Sequence, residues 1–246
     1  MNLILLRHGQ STWNLENRFT GWKDVTLTEI GIEEAEYSGK IILENQFNIQ
    51  SIYTSLLNRA TETTNIVAQI INYPKSQIKH DWRLNERHYG ALEGLNKSET
   101  AKKYGEDQVK IWRRSFDIPP PQLETSDIRH PKNNRKFSNL ECELPIGESL
   151  KDVISRLLPF LNNYFEVIKN DNGDHLIVAH SNSLRAIVKI LEGLSDAEII
   201  EVNIPTGVPL VYKLDSMLNI IDKKYLIDEE TLKRKKEIVE NQGKIK

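Results

Sequence analysis

The chain has 246 residues and a net charge of −2, with 39% hydrophobic and 28% charged residues. This balance predicts a globular domain with a sizeable core, and it gives no general attraction to nucleic acid or to a membrane surface. Cys142 is the only cysteine, which fits a reducing compartment. Arg7 interrupts the first apolar run too early for a secretory signal, and no run approaches the roughly 20 apolar residues that cross a bilayer. We therefore expect a cytoplasmic protein in which residues 1–246 form a single domain.

Strand and helix patterns alternate in the amino-terminal part. Residues 3–6 are continuously apolar, which is typical of a strand buried on both faces. Apolar residues at helical spacing predict helices over residues 28–45 and 58–72, with a strand at residues 49–55 between them. This alternation predicts a three-layer α/β fold, a mostly parallel sheet with helices on both faces.

The alternation lapses between Tyr89 and Pro145. Many polar residues and a triple proline at residues 119–121 predict an insertion of about residues 90–145 that lies over the sheet. A buried strand within residues 175–180 and a helix over residues 183–193 follow, and residues 205–214 and the segment through Ile220 are predicted strands near a sheet edge. From about residue 228 to residue 246, a charged segment predicts a solvated helix and a flexible tail.

Arg7, His8 and Gly9 follow the first strand directly. Ligands of open α/β sheets bind at the carboxyl ends of the strands, and Gly9 lets the backbone come close to whatever lies there. An imidazole beside a guanidinium at this place indicates phosphate chemistry. A capping turn with an incidental histidine is the alternative.

His180 has the same placement, just past the buried strand at residues 175–180. Two strands of one parallel sheet can bring His8 and His180 together at the same edge. Two imidazoles could also hold a metal, but no third ligand stands at a helix or turn spacing. We therefore expect no metal site.

Arginines supply the charge that a phosphate site needs. Arg59 lies at the predicted start of a helix, where backbone N–H groups and the helix dipole also favour anions. Guanidinium groups bind phosphate oxygens in a bidentate manner. Arg113 and Arg114 are further candidates, although a solvated basic helix face is the favoured explanation for them.

A phosphoryl transfer also needs an acid for the departing oxygen. Glu86 is the preferred candidate, because a partly buried glutamic acid can act as a general acid. Glu93 in the same segment is the alternative.

Four motifs resemble the cofactor-dependent phosphoglycerate mutases of the histidine phosphatase superfamily. They lie at residues 7–14, 17–22, 84–97 and 203–211, and the likeness extends through the terminal Asn-Gln-Gly-Lys-Ile-Lys. The resemblance implies that His8 is the phosphorylated nucleophile and that Glu86 donates and accepts the proton. It also implies that Arg7, Arg59 and His180 surround the transferring phosphoryl group. The positions that match the substrate-binding residues are Asn14, Thr20, Gly21, Arg87, His88, Tyr89, Lys97, Arg113, Arg114, Ser181 and Asn182.

The activity implied by the resemblance is the interconversion of 2-phosphoglycerate and 3-phosphoglycerate in glycolysis and gluconeogenesis. It proceeds through a phosphohistidine primed by 2,3-bisphosphoglycerate, without a metal and with small-molecule partners only. Chemistry adds that neutral His8 attacks through one ring nitrogen while a backbone carbonyl holds the other, and that protonated His180 stabilises the transition state.

Two alternatives remain open at this point. One is a phosphatase of the same superfamily that acts on a small phosphometabolite, and the other is a non-catalytic binding protein, which would be expected to lack His8 or Glu86. Two positions depart from the family pattern, since Ser181 and Ile227 stand where glycine is usual. Homo-oligomer formation is also left open, because an edge strand or a helix face could pair with a second copy.

Overall fold

The computed structural model describes residues 1–242 and residue 244. Within these residues, six strands form one sheet in the order β3-β2-β4-β1-β5-β6. The strands are β1 (Asn2–Arg7), β2 (Ile49–Thr54), β3 (Lys79–His80), β4 (Asp174–Ala179), β5 (Leu210–Leu214) and β6 (Ile220–Tyr225). Strands β3, β2, β4 and β1 pair in parallel, whereas β5 and β6 are added antiparallel. The prediction of a mostly parallel sheet is confirmed.

The helices of the described residues are α1 (Thr12–Leu15), α2 (Glu29–Glu44), α3 (Asn58–Ile70), α4 (Lys97–Tyr104), α5 (Glu106–Arg114), α6 (Leu150–Ile168), α7 (Ser181–Glu192), α8 (Glu198–Glu201) and α9 (Glu229–Glu240). Helices α2 and α3 cover one face of the sheet, and α6 and α7 cover the other. Leu3 and Leu5 of β1 join the core formed with α6 and α7, while Ile4 and Leu6 join the core formed with α2 and α3. Side chains alternate between the faces of a strand, so a continuous apolar run is needed where both faces are covered.

Helix α6 is the main element that the alternation of motifs did not predict. Its apolar residues recur at helical spacing, with Val153, Leu157 and Leu161 fully buried, and Ser149 caps its start together with Asp152. Capping and periodicity were therefore both present in the sequence. The predicted strand at 205–214 is shorter in the structure, because Pro205, Gly207 and Pro209 keep its first half out of the sheet.

The register between β1 and β4 positions the two histidines. Arg7 pairs with Ala179, and the His8 N–H donates to the Ala179 carbonyl over 3.0 Å. The residues that follow this pair, His8 and His180, therefore leave neighbouring strands side by side.

The predicted insertion contributes α4 and α5, and the predicted carboxy-terminal helix is α9. Of the tail for which flexibility was predicted, Gly243, Ile245 and Lys246 lie outside the described residues. Across the part of the chain that is described, no helix has the length and apolar character needed to span a membrane.

Candidate active site

His8 lies at the carboxyl edge of the sheet and is almost fully buried. Its Nδ1 donates to the carbonyl oxygen of Gly9 over 2.7 Å, and its Nε2 accepts from Nε of Arg59 over 3.2 Å. The carbonyl can only accept, so the proton is on Nδ1 and the lone pair is on Nε2. Nε2 is therefore the nitrogen that can attack an electrophile.

The charge state of His8 suits a nucleophile. Burial, followed by the positive charges of Arg59 and Arg7, holds the pKa of His8 well below 6.5. The imidazole is therefore neutral at neutral pH, and Nε2 keeps its lone pair.

Arg59 is held rigidly beside His8. It is 1% exposed at the start of α3, and its terminal nitrogens donate to the carbonyls of Gly21 (2.9 Å) and Lys23 (3.0 Å). Burial lowers the pKa of Arg59 to about 10. The loop of residues 20–24 thus fixes the guanidinium that faces Nε2 of His8.

His180 packs against His8, with ring centroids 4.9 Å apart and an interplanar angle of 60°. Its Nε2 shares a hydrogen bond of 2.7 Å with Oγ of Ser55, which follows β2. Burial, then Arg59, His8 and Arg7, hold the pKa of His180 well below 6.5. Without a ligand, burial and the neighbouring basic groups therefore disfavour a positive charge on His180, and its protonation in the transition state stays a prediction.

Glu86 is the acidic group that the structure brings to this site. Its Oε1 accepts from the Arg87 N–H (2.7 Å) and from the backbone N–H (3.2 Å) and Nδ2 (2.9 Å) of Asn182. Asn182 lies in the first turn of α7, directly after His180 and Ser181. The start of α7 therefore orients both His180 and the Glu86 carboxylate.

Glu93, the alternative acid, lies elsewhere. Its carboxylate accepts hydrogen bonds from the backbone of Trp22 and Lys23, and burial raises its pKa to about 7. Glu86 lines the cavity at His8, whereas Glu93 lines a different cavity with Arg129 and His130. The structure thus separates the two candidates.

A narrow cavity of about 50 Å³ opens at His8. Among the described residues, seven basic side chains and one carboxylate, Glu86, line it. The predicted residues on its walls are Arg7, His8, Asn14, Thr20, Arg59, Glu86, Tyr89, Lys97, Arg113, Arg114, Ser181 and Asn182. The segment predicted as an insertion supplies Lys97 on α4 and Arg113 and Arg114 on α5. The alternative of a solvated basic face does not hold for Arg114, which is 9% exposed.

The crowding of basic groups changes their acidity. Burial and the neighbouring arginines lower the pKa of Arg113 to about 9, and they hold the pKa of Lys97 well below 10.5. Burial also lowers the pKa of Arg7. Because like charges in a low-dielectric site repel one another, an anion that neutralises them is strongly favoured there.

Three predicted substrate residues do not line this cavity. The carbonyl of Gly21 accepts from Arg59, and Arg87 donates to the Arg113 carbonyl (2.7 Å) and to the hydroxyl of Tyr89 (3.3 Å). His88 is fully buried, its Nδ1 accepts from the Gly90 N–H, and burial lowers its pKa to about 3. The structure therefore places Gly21 and Arg87 behind the cavity and gives His88 a place in the packing.

The described part of the tail reaches the same cavity. Lys97 Nζ donates to Oε1 of Gln242 over 3.0 Å, and Arg113 donates to the Gln242 carbonyl. Ser98 donates to the Lys244 carbonyl over 3.0 Å. Gln242 therefore occupies two of the donors that an anionic ligand would use.

Several residues of the site were not found from the sequence. Arg185 is 1% exposed, lines the cavity and donates to Oδ1 of Asn182 over 3.0 Å. Its spacing of four residues from Ser181 on α7 was a signal for the same helix face. Ser55 and Gln242 carried no such signal, because their contacts span 125 residues to His180 and 145 residues to Lys97.

Comparison with known proteins identifies the family of the chain. The family model described as histidine phosphatase superfamily (branch 1) matches residues 3–128 and 124–215. The 2,3-bisphosphoglycerate-dependent phosphoglycerate mutase of Hydrogenobaculum sp. is 52% identical over 243 residues, which cover 98% of each chain. The chain belongs to the 2,3-bisphosphoglycerate-dependent phosphoglycerate mutase family of the histidine phosphatase superfamily. The mutase of the same description from Treponema denticola is 51% identical over 247 residues and is covered completely, as is this chain.

Solved structures of other proteins share this fold at low sequence identity. A mycobacterial glucosyl-3-phosphoglycerate phosphatase superposes with a TM-score of 0.69 at 20% identity, covering 92% of this chain and 98% of the other. A Bacillus stearothermophilus protein, YhfR, has a TM-score of 0.64 at 23% identity, covering 89% and 93%. At this level of identity the likeness shows only that this mutase family chain shares their fold. Fold alone does not assign activity.

Proposed function

We propose that this chain interconverts 2-phosphoglycerate and 3-phosphoglycerate through a phosphorylated His8. The observation that carries the proposal is the arrangement at His8. A neutral imidazole presents Nε2 to a buried cavity where seven basic groups surround one carboxylate. This is the electrostatic environment that a small phosphate ester with a second negative group needs.

His8 performs the first covalent step. Nε2 attacks phosphorus of the phosphate ester, an N–P bond forms, and the P–O bond to the sugar-acid oxygen breaks. The Gly9 carbonyl, which already holds the Nδ1 proton, stabilises the positive charge that develops on the ring.

Glu86 handles the proton in both directions. In the first half-reaction its carboxyl proton goes to the departing oxygen. In the second, the carboxylate takes the proton of the hydroxyl that attacks phosphohistidine. Asn182 orients the carboxylate through two hydrogen bonds to Oε1.

Arg7, Arg59 and His180 stabilise the transferring group. In a loose phosphoryl-transfer transition state, negative charge spreads over three equatorial oxygens. Arg59 and His180 both contact the His8 ring, and Arg7 is fixed by a hydrogen bond to the Ile204 carbonyl. The approaching phosphoryl charge favours protonation of His180, which the ligand-free site opposes.

The substrate residues account for the remaining negative groups. Asn14, Thr20, Tyr89, Lys97, Arg113, Arg114, Ser181 and Asn182 face the same cavity and provide donors for the carboxylate and the non-reacting phosphate. Gly21, Arg87 and His88 support the walls. 2,3-Bisphosphoglycerate fits these charges, and when bound it supplies the priming phosphoryl group. The residues in these roles need no metal.

The decisive experiment incubates the purified protein with 3-phosphoglycerate and a trace of 2,3-bisphosphoglycerate, with and without a chelator. We expect 2-phosphoglycerate to form faster than free phosphate and chelation to leave the rate unchanged. Faster release of phosphate would instead identify a phosphatase. Loss of activity with the chelator would overturn the metal-free assignment.

A further inference from the structure

The segment that carries Glu86 is irregular and buried. A short 3-10 turn at Trp82–Leu84 precedes it, and no regular helix or strand includes Asn85 or Glu86. Buried backbone groups outside a helix or sheet still need hydrogen-bond partners. The partners of this segment come largely from one ion pair that the proposed mechanism does not use.

That pair is formed by Arg156 of α6 and Glu148, which precedes the helix. Nε of Arg156 lies 2.6 Å from Oε1 of Glu148, and the two side chains are 9% and 5% exposed. A second contact of 3.3 Å joins Nη2 of Arg156 to Oε2 of Glu148. The pair is therefore bidentate and almost completely removed from water.

Arg156 also holds the backbone of residues 83–86. Its guanidinium donates to the carbonyls of Asn85 (2.9 Å) and Glu86 (3.1 Å), and to that of Arg83. The Glu86 carbonyl accepts a further hydrogen bond of 2.6 Å from Nε1 of Trp22. One guanidinium thus fixes three carbonyls within four residues.

Glu148 holds the backbone on the other side. Its Oε2 accepts from the His88 N–H over 2.7 Å, and its own N–H donates to the His88 carbonyl over 2.9 Å. The ion pair therefore contacts the chain both before and after Glu86. The Glu86 carboxylate is left free to contact the Arg87 N–H and Asn182.

We propose that Arg156 and Glu148 are positioning residues that hold Glu86 in the orientation needed for proton transfer. The inference rests on the proposed function of the chain, since it assigns a role in the step that Glu86 performs. Buried ion pairs are often replaceable by apolar residues without loss of stability, so stability alone does not account for this one. A lysine at position 156 has one compact ammonium group and cannot bridge three carbonyls and a carboxylate in one plane.

The test is a double-mutant cycle between the pair and Glu86. R156K, E148Q, E86Q and the combinations with E86Q are compared by the rate of His8 phosphorylation from 2,3-bisphosphoglycerate, by kcat and KM, and by Tm. We expect R156K and E148Q each to lower the phosphorylation rate by about ten-fold or more, with KM changed by less than about three-fold. In the E86Q background neither change should lower the rate further by more than about two-fold, because residues that act through one group are not additive.

The matched control is I168A, which lies on the same helix, about 18 Å from Arg156 at 1.5 Å per residue. Ile168 is fully buried in the core that α6 forms with the sheet, and its aliphatic side chain has no polar group that could hold the Glu86 segment. We expect I168A to lower Tm by several degrees and to leave the phosphorylation rate nearly unchanged. It therefore reports what destabilisation without repositioning does.

Losses that multiply in the E86Q background would overturn the proposal, as would variants that lower Tm and leave the phosphorylation rate unchanged. E148Q removes the charge and keeps one of the two acceptor oxygens, so it remains informative if R156K does not fold. A wild-type protein that forms no 2-phosphoglycerate would refute the proposed function instead. That outcome is measured separately, as product formation by the wild-type protein.

Discussion

The His8 and His180 rings meet at 4.9 Å because Arg7 and Ala179 are register partners in adjacent parallel strands. The two rings are nevertheless held by different groups, His8 by Gly9 and Arg59 and His180 by Ser55. This difference separates their roles, since His8 lines the cavity with Nε2 beside Arg59, whereas His180 does not line it.

We predict different outcomes for the two histidine variants. H8A should give no acid-labile phosphoenzyme with 2,3-bisphosphoglycerate, because the N–P bond cannot form. H180Q should still form it, but about 10²- to 10³-fold more slowly, since one stabilising group at the transition state is lost. Rapid-quench measurement of phosphoenzyme checks both. Phosphoenzyme in H8A would exclude His8 as the nucleophile.

The buried histidines make stability depend on pH. Burial lowers the pKa of His88 from its ordinary value of 6.5 to about 3. Between these two pH values, His88 therefore binds a proton in the unfolded chain but not in the folded chain. The contribution of His88 to the free energy of unfolding is fully present above pH 6.5, and it is lost as the pH falls towards 3.

The expected slope is about 1.4 kcal/mol of unfolding free energy per pH unit for each such histidine. H88Q retains an acceptor near the Gly90 N–H. Below pH 6.5 it should lower the slope by about 1.4 kcal/mol per pH unit, which corresponds to one proton fewer taken up on unfolding. Urea unfolding at several pH values between about 7 and 5 measures it. An unchanged slope in H88Q would show that His88 titrates normally in the folded protein.

The carboxy-terminal helix is tied to the site by one ion pair. Lys235 Nζ of α9 lies 2.6 Å from Oε1 of Glu34, whose Oε2 accepts the Gln10 N–H over 2.7 Å. K235Q should loosen α9 and the Gln242 contacts beyond it, and so admit water to phosphohistidine. We expect phosphoenzyme hydrolysis without acceptor to rise about two- to five-fold, as befits a partly exposed pair.

K233Q is the matched control, since Lys233 lies on the same helix, is exposed and loses the same charge. Hydrolysis of the phosphoenzyme, followed as free phosphate, should be unchanged in this variant. Equal effects of K233Q and K235Q would point to net charge and not to the contact with Glu34.

Ser181 is the family departure nearest to the reacting groups. It is the first residue of α7, follows His180 directly and lines the cavity. We expect the natural chain to be active and S181G to alter turnover and phosphoenzyme lifetime by a few-fold, because glycine frees the backbone beside His180. If both quantities are unchanged, the serine is neutral at this position.

Some features could be predicted from the sequence because they depend on near neighbours in the chain. The apolar run before Arg7 and the one before His180 indicated buried strands, and the start and end of α2, α3 and α7 followed from local periodicity. The family resemblance rested on motifs of the same local kind. Helix α6 could have been predicted in the same way from its cap and its apolar spacing.

Other features depend on contacts that the order of residues does not reveal. Asn182 meets Glu86 across 96 residues of chain, and Arg156 reaches the Glu86 carbonyl across 70.

Hydrophobic periodicity is a local property, so the residues at the ends of the strands could be predicted from the sequence alone. The packing of distant segments was needed to place Glu86 rather than Glu93 at the cavity, to pack His88 away from it, and to disfavour a charge on His180 without ligand. Burial and the sum of surrounding charges set those outcomes, and both exist only once distant segments have packed together.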